Sequence, residues 1–227
     1  MANQSVRIPN ASRGRRAEEP DQVGEQARRG TGRTARGRQT RQHLVESART
    51  VFERQGFLHA RIADICKEAE VSHGSFYTYF TSKEAIFTEV VDSVEIDLLR
   101  VDTPVEGLEP IERIRAANRH YLQSFQENAD ILRVIEQVST FDDEVLRIRV
   151  AREVEFAQII ERRTREYQEE GLVYPDIDPS LAAHALGGMV AGFAEQMFFE
   201  NQQSFDFEHA VDQLTLLWVN AVGLSRP

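Results

Sequence analysis

Two short apolar-periodic segments, separated by a break of only three residues, constrain this chain more than any other feature. Ile62, Ile65, Cys66 and Ala69 recur at helical spacing, and Phe76 and Phe80 stand four apart just downstream. Between them, Glu70-Val71-Ser72 leaves room for a tight turn. Upstream, Leu44, Val45, Ala48, Val51 and Phe52 mark one face of a longer helix that Gly56 ends. The three together form a small helical head, with Ile62, Ile65, Ala69 and Val71 on the inside of the corner. A corner of two short helices is the geometry that lays a second helix in a DNA major groove.

The chemistry of that second helix is consistent with such a role. With Phe76 and Phe80 facing inward, His73, Ser75, Tyr77, Thr78 and Tyr79 are left for the other faces. Hydroxyls and an imidazole can donate to phosphates or base edges, and Gly74 lets the backbone come close. Thr81-Ser82-Lys83-Glu84 reads as a capping box with Thr81 as N-cap, opening a fourth helix to about Leu99. Lys83 then places an ammonium at a helix N-terminus, beside N–H groups that attract phosphate.

Charge orients the molecule. The net charge is −10, but residues 1–42 carry +6, residues 43–90 carry −2 and residues 91–227 carry −14. DNA attracts the front and repels the rear, so one end faces the duplex. An acidic rear also argues against a packaging protein, which spreads positive charge widely. Residues 1–36 hold few apolar side chains and read as disordered. Their arginines, with Arg38 and Arg41 just after, form either an arm that follows the DNA backbone or a solvated tail.

Beyond Pro104 and Gly107, helical patterns fill about 109–127, 129–140, 143–170, 179–200 and 207–223. No β-alternation persists, so the expected class is all-α: a three-helix head at 37–85 and a larger helical body at 86–227, about nine helices in all. No stretch of roughly 18 apolar residues offers a membrane span. The single cysteine, Cys66, excludes an internal disulfide and fits a reducing cytoplasm. A cysteine-rich zinc site is excluded too, and no cofactor is expected. No Gly-rich phosphate loop, H-E-x-x-H or G-x-S-x-G motif supports an enzyme. Glu153, Glu155 and Glu161 read as a solvated helix face.

The stretch from Ile62-Ala63-Asp64-Ile65 through Val71-Ser72-His73-Gly74, Phe76-Tyr77-Thr78-Tyr79-Phe80 and Ser82-Lys83-Glu84 closely resembles the signature of the TetR family of bacterial transcription regulators. The resemblance covers roughly residues 38–90; the body matches only in helix pattern and length. It implies a DNA-binding regulator, most often a repressor released from a palindromic operator by a small, largely apolar effector. It implies DNA contacts from Arg61, Ser72, His73, Gly74, Ser75, Tyr77, Thr78, Tyr79 and Lys83. Two positions depart from the pattern. Glu70 stands where the family usually has a turn glycine, and Arg61 stands where it usually has a phosphate-touching threonine. A non-glycine turn residue at positive φ carries strain of roughly 1 kcal/mol, and an arginine caps a helix poorly.

The resemblance further implies a homodimer joined through the last two helices, and an effector pocket within the body. The seam is expected at Gly188, Ala191, Gly192, Phe198, Leu214, Leu217, Trp218 and Ala221. The pocket is expected around Tyr121, Phe125, Phe141, Phe156, Met189 and Phe193, with His120, Gln158 and His184 as polar handles. Each of these aromatics also fits an ordinary helical core.

Overall fold

The computed structural model describes residues 34–98, 107–199 and 205–224. The arginine-rich arm expected before residue 34 lies outside the described residues. Those described form nine helices and no strand. They are α1 (Ala35–Gln55), α2 (Ile62–Glu68), α3 (His73–Tyr79), α4 (Lys83–Leu98), α5 (Pro110–Glu127), α6 (Ala129–Ser139), α7 (Asp143–Glu169), α8 (Pro179–Phe198) and α9 (Phe207–Val222). In the body, each helix meets its expected bounds to within two residues.

Two helix starts differ from expectation. Helix α1 begins at Ala35, because the Thr34 hydroxyl accepts from Gly37 N at 3.0 Å and caps it. Arg36, Arg38 and Arg41 therefore belong to this helix and not to a flexible arm. Helix α4 begins one residue later than the expected capping box. Ser82 is the capping side chain, its hydroxyl accepting from Ala85 N at 3.1 Å, and Thr81 lies outside the helix.

The head is packed around aromatic rings. Phe52 of α1 meets Phe87 of α4 edge-on at 5.0 Å, and Phe57 sits 4.7 Å from the same ring. Phe52, Phe76, Ile65, Ile86 and Phe87 have essentially no exposed surface. Burying one such side chain stabilises by about 2–3 kcal/mol. The cluster does not stop at the head. Val90, Val91, Val94 and Leu98 carry it along α4 to Leu122, Phe125, Ile131 and Ile135 of the body. Helix α4 is thus one continuous apolar connection from head to body.

A second cluster joins Tyr167, Leu186, Trp218, Val219, Val222 and Leu224. Helix α9 docks on α5 through a buried Asn118–Thr215 hydrogen bond of 3.2 Å, an Arg115–Asp212 pair at 2.7 Å and an Arg119–Glu208 pair. This docking corrects the expected seam. Leu214 and Trp218 are buried within the single chain, because α9 turns them toward α5 and α8. Phe198 is half-buried against the Phe125 ring. Leu217 remains 54% exposed, and Ala221 is exposed one turn away.

Candidate DNA-reading head and body cavity

Helices α2 and α3 pack as the two arms of the corner, with the turn between them at Glu70, Val71 and Ser72. Glu70 adopts φ +53°, alone among the described non-glycine residues in the left-handed region. The strain expected there is present, and Val71 N donating to Cys66 O at 3.0 Å fixes the turn. Arg61 stands at the N-cap of α2 with no side-chain cap, as its residue type predicts.

On α3 the expected reading residues divide by what they already touch. The Ser72 hydroxyl accepts from Ser75 N at 3.1 Å and lies 3.1 Å from Ser75 Oγ, so this pair caps the helix. The Thr78 hydroxyl donates to Gly74 O at 3.1 Å. Tyr79 is half-buried against the head core. His73 and Gly74 are exposed, and Tyr77 is 48% exposed despite its edge-on contact with Phe76. His73, Gly74 and Tyr77, with Arg61, are therefore the groups that stand out from the head.

Lys83 does something that the sequence did not indicate. Its ammonium donates to Phe57 O at 2.7 Å and Ala60 O at 3.2 Å, and lies 4.3 Å from the centre of the Phe57 ring. It closes the loop between α1 and α2 onto the start of α4. Two of its three donors are used in this way. Arg41 makes the matching link from α1. It forms a bidentate pair with Glu89 of α4 and stacks 4.7 Å over the Phe80 ring. Reading head and α4 are thus tied at two points.

A cavity of about 420 Å³ opens in the body among α4, α5, α6, α7 and α8. Tyr121, Phe125, Phe156 and Phe199 supply aromatic walls, with Tyr121 stacked 5.5 Å from Phe156. Of the expected lining, Tyr121, Phe125, Phe156 and His184 are there. The others are not. Phe141 is 56% exposed beside Phe57, and Gln158 points to solvent from α7. His120 sits near Ser124, Met189 bridges the two core clusters, and Phe193 packs on Phe205. Gly188, Ala191 and Gly192, expected at the dimer seam, also line this cavity, and Gly188 is exposed. The face of α8 that carries Gly187 meets α7. Gly187 shows how close that approach is: an added Cβ would lie 3.3 Å from both Phe156 and Ile160 side-chain atoms.

Charged groups also line the cavity, and these were not anticipated: Glu95, Glu136, Arg149, Arg152, Glu153 and Glu195. Glu153 is exposed, as expected of a solvated helix face, and it also stands at the cavity. Burial pushes the Glu95 carboxyl up to about 7; Arg149 and Arg152 pull the other way without overcoming it. Burial, with the nearby charge of Glu95, also raises the Tyr121 hydroxyl. Each of these charged groups reads as ordinary helix surface when taken alone, and only the packing of α4 against α7 brings Glu95 to the arginines.

A tight helical corner presenting an exposed α3, joined by one helix to a hollow helical body, defines a helix-turn-helix transcription regulator. The pattern for bacterial regulatory proteins of the tetR family matches residues 44–90, and the one for tetracyclin repressor-like C-terminal domains matches residues 107–195. The chain belongs to the TetR family. It is 24% identical over 155 residues to the HTH-type transcriptional regulator UidR of Escherichia coli K12, covering 67% of this chain and 79% of that one. It is 29% identical over 177 residues to the HTH-type transcriptional repressor DhaR of Mycobacterium sp. strain GP1, covering 73% and 86%. Its fold matches that of the transcriptional regulator FadR from Bacillus subtilis in complex with stearoyl-CoA. That match has a TM-score of 0.66 at 17% identity, covering 80% and 98% of the two chains. Among the described residues, no helix is long and apolar enough to cross a membrane.

Proposed function

We propose that this regulator is a dimeric repressor that leaves a palindromic operator when a small molecule occupies the body cavity. One observation carries the reading. Glu95 and Leu98, which line the cavity, lie on α4, the helix that Arg41 and Lys83 tie to the reading head. An occupant that prefers one position of α4 therefore prefers one position of the head, which is a population shift between two spacings. DhaR is a repressor and FadR was captured with a ligand, and both support this assignment. In it, His73, Ser75 and Tyr77 face bases and phosphates, while Arg61, Tyr79 and the third Lys83 donor hold the backbone. The exposed Leu217 and Ala221 of α9 face a second copy, and two-fold symmetry makes the operator palindromic.

The test is a gel shift with fragments from upstream of the protein's own coding region and from its neighbours. The expected result is one retarded species of dimer stoichiometry that Tyr77→Ala abolishes. No retardation of any fragment at low salt would sink the reading.

A further inference from the structure

Carboxylates outnumber guanidiniums around the body cavity. Glu95, Glu136, Glu153 and Glu195 line it against Arg149 and Arg152. Both arginines already have protein partners. Arg149 donates to Ser139 Oγ at 2.9 Å and lies 3.9 Å from Glu153. Arg152 pairs with Glu155 at 2.7 Å and reaches Asp92 at 4.0 Å. An incoming anion would share these guanidiniums with their present partners while facing four carboxylates.

Glu95 is in the opposite position. It is half-buried, and among the described residues it makes no hydrogen bond or ion pair. Its two arginine neighbours act on it only at a distance. A carboxyl held in a partly dry wall, without a direct partner, is short of positive charge. Next to it, Tyr121 and Phe156 stack as one aromatic surface, continued by Phe125 at 6.2 Å from Tyr121. Ring faces carry negative potential and attract cations as well as flat apolar bodies. The volume, about 420 Å³, suits a ligand of small-drug size.

We propose that the cavity takes a small organic cation with a flat aromatic body, its positive centre against Glu95 and its rings along Tyr121, Phe125 and Phe156. The proposal rests on the reading of this cavity as the effector site. It also names the point of action. Glu95 belongs to α4, so a cation held there engages the helix that carries the head, whereas a purely apolar occupant would fill the walls without addressing α4 by charge.

Three probes with one aromatic body separate the alternatives: 1-naphthylmethyl-trimethylammonium, 1-naphthylmethanol and 1-naphthylacetate, each titrated calorimetrically into the full-length protein. The cation is expected to bind about tenfold tighter than either of the others. Glu95→Gln is expected to bring the cation to within about twofold of the alcohol and to leave the alcohol unchanged, while Glu95→Asp keeps the preference. Tightest binding by the acetate, or equal binding of all three, overturns the cation assignment and leaves the effector cavity standing. No binding of any probe at about 1 mM removes both readings. The ranking in the native protein decides the matter even where a Glu95 variant folds poorly.

Discussion

Two residues carry strain that substitution should release. Glu70 holds a left-handed turn at φ +53°, where glycine pays no Cβ penalty. Glu70→Gly is expected to stabilise the protein by up to about 1 kcal/mol, read as a higher urea midpoint. Glu95 is strained electrostatically. Its folded-state carboxyl titrates near 7, above its ordinary 4.5, so ionisation disfavours the folded state. The penalty is absent below about pH 4.5, grows as pH rises and is complete above 7. Glu95→Gln should therefore match the native protein at pH 4.5 and exceed it by about 1–3 kcal/mol at pH 8. Urea unfolding at the two pH values measures this, and a difference independent of pH would contradict it. Only the first of these residues was legible from sequence. Glu70 departs from a local pattern, whereas Glu95 is defined by side chains more than fifty positions away.

At the scale of elements, the reading head was readable because its logic is local. Spacing alone told Phe76 and Phe80 from the residues that face outward, and the turn lies within one stretch of chain. The body was readable only as a set of helices, because amphipathic stripes do not say which neighbour they meet. Leu214 and Trp218 look like a seam until α5 is placed against them. Gly188 and Gly192 give no sign in the sequence of the hollow that lies beside them. Lys83 shows the same limit inside the head, since its partners Phe57 and Ala60 lie over twenty residues upstream. Lys83→Met should lower the melting temperature by removing both charged hydrogen bonds, a loss of about 2–3 kcal/mol. It should also weaken operator binding evenly across sequences and reduce the salt slope by about one. Gly187→Leu on α8 should destabilise by about 1–3 kcal/mol and weaken probe binding, because the new side chain must push Phe156 and Ile160 aside. Thermal unfolding and calorimetry would check these.

For the whole molecule, polarity and symmetry act together. The body is acidic and residues 43–90 are near neutral, so DNA attraction rests on the +6 of residues 1–42 and a few placed groups, and in the proposed dimer two heads share one duplex. Leu217→Glu, at the exposed α9 position, is expected to convert dimer to monomer in analytical ultracentrifugation and to lower operator affinity at least tenfold. The length of α4 then sets the scale of control. Glu95 lies twelve residues beyond Lys83, about 18 Å along the helix axis. A tilt of about 5° at the cavity moves the head by roughly 1.6 Å, and the two-fold axis doubles this to about 3 Å. That is close to the rise of one base pair, about 3.4 Å. In the proposed mechanism, helix α4 is a lever whose length converts a side-chain displacement in the body into one step of register on the duplex.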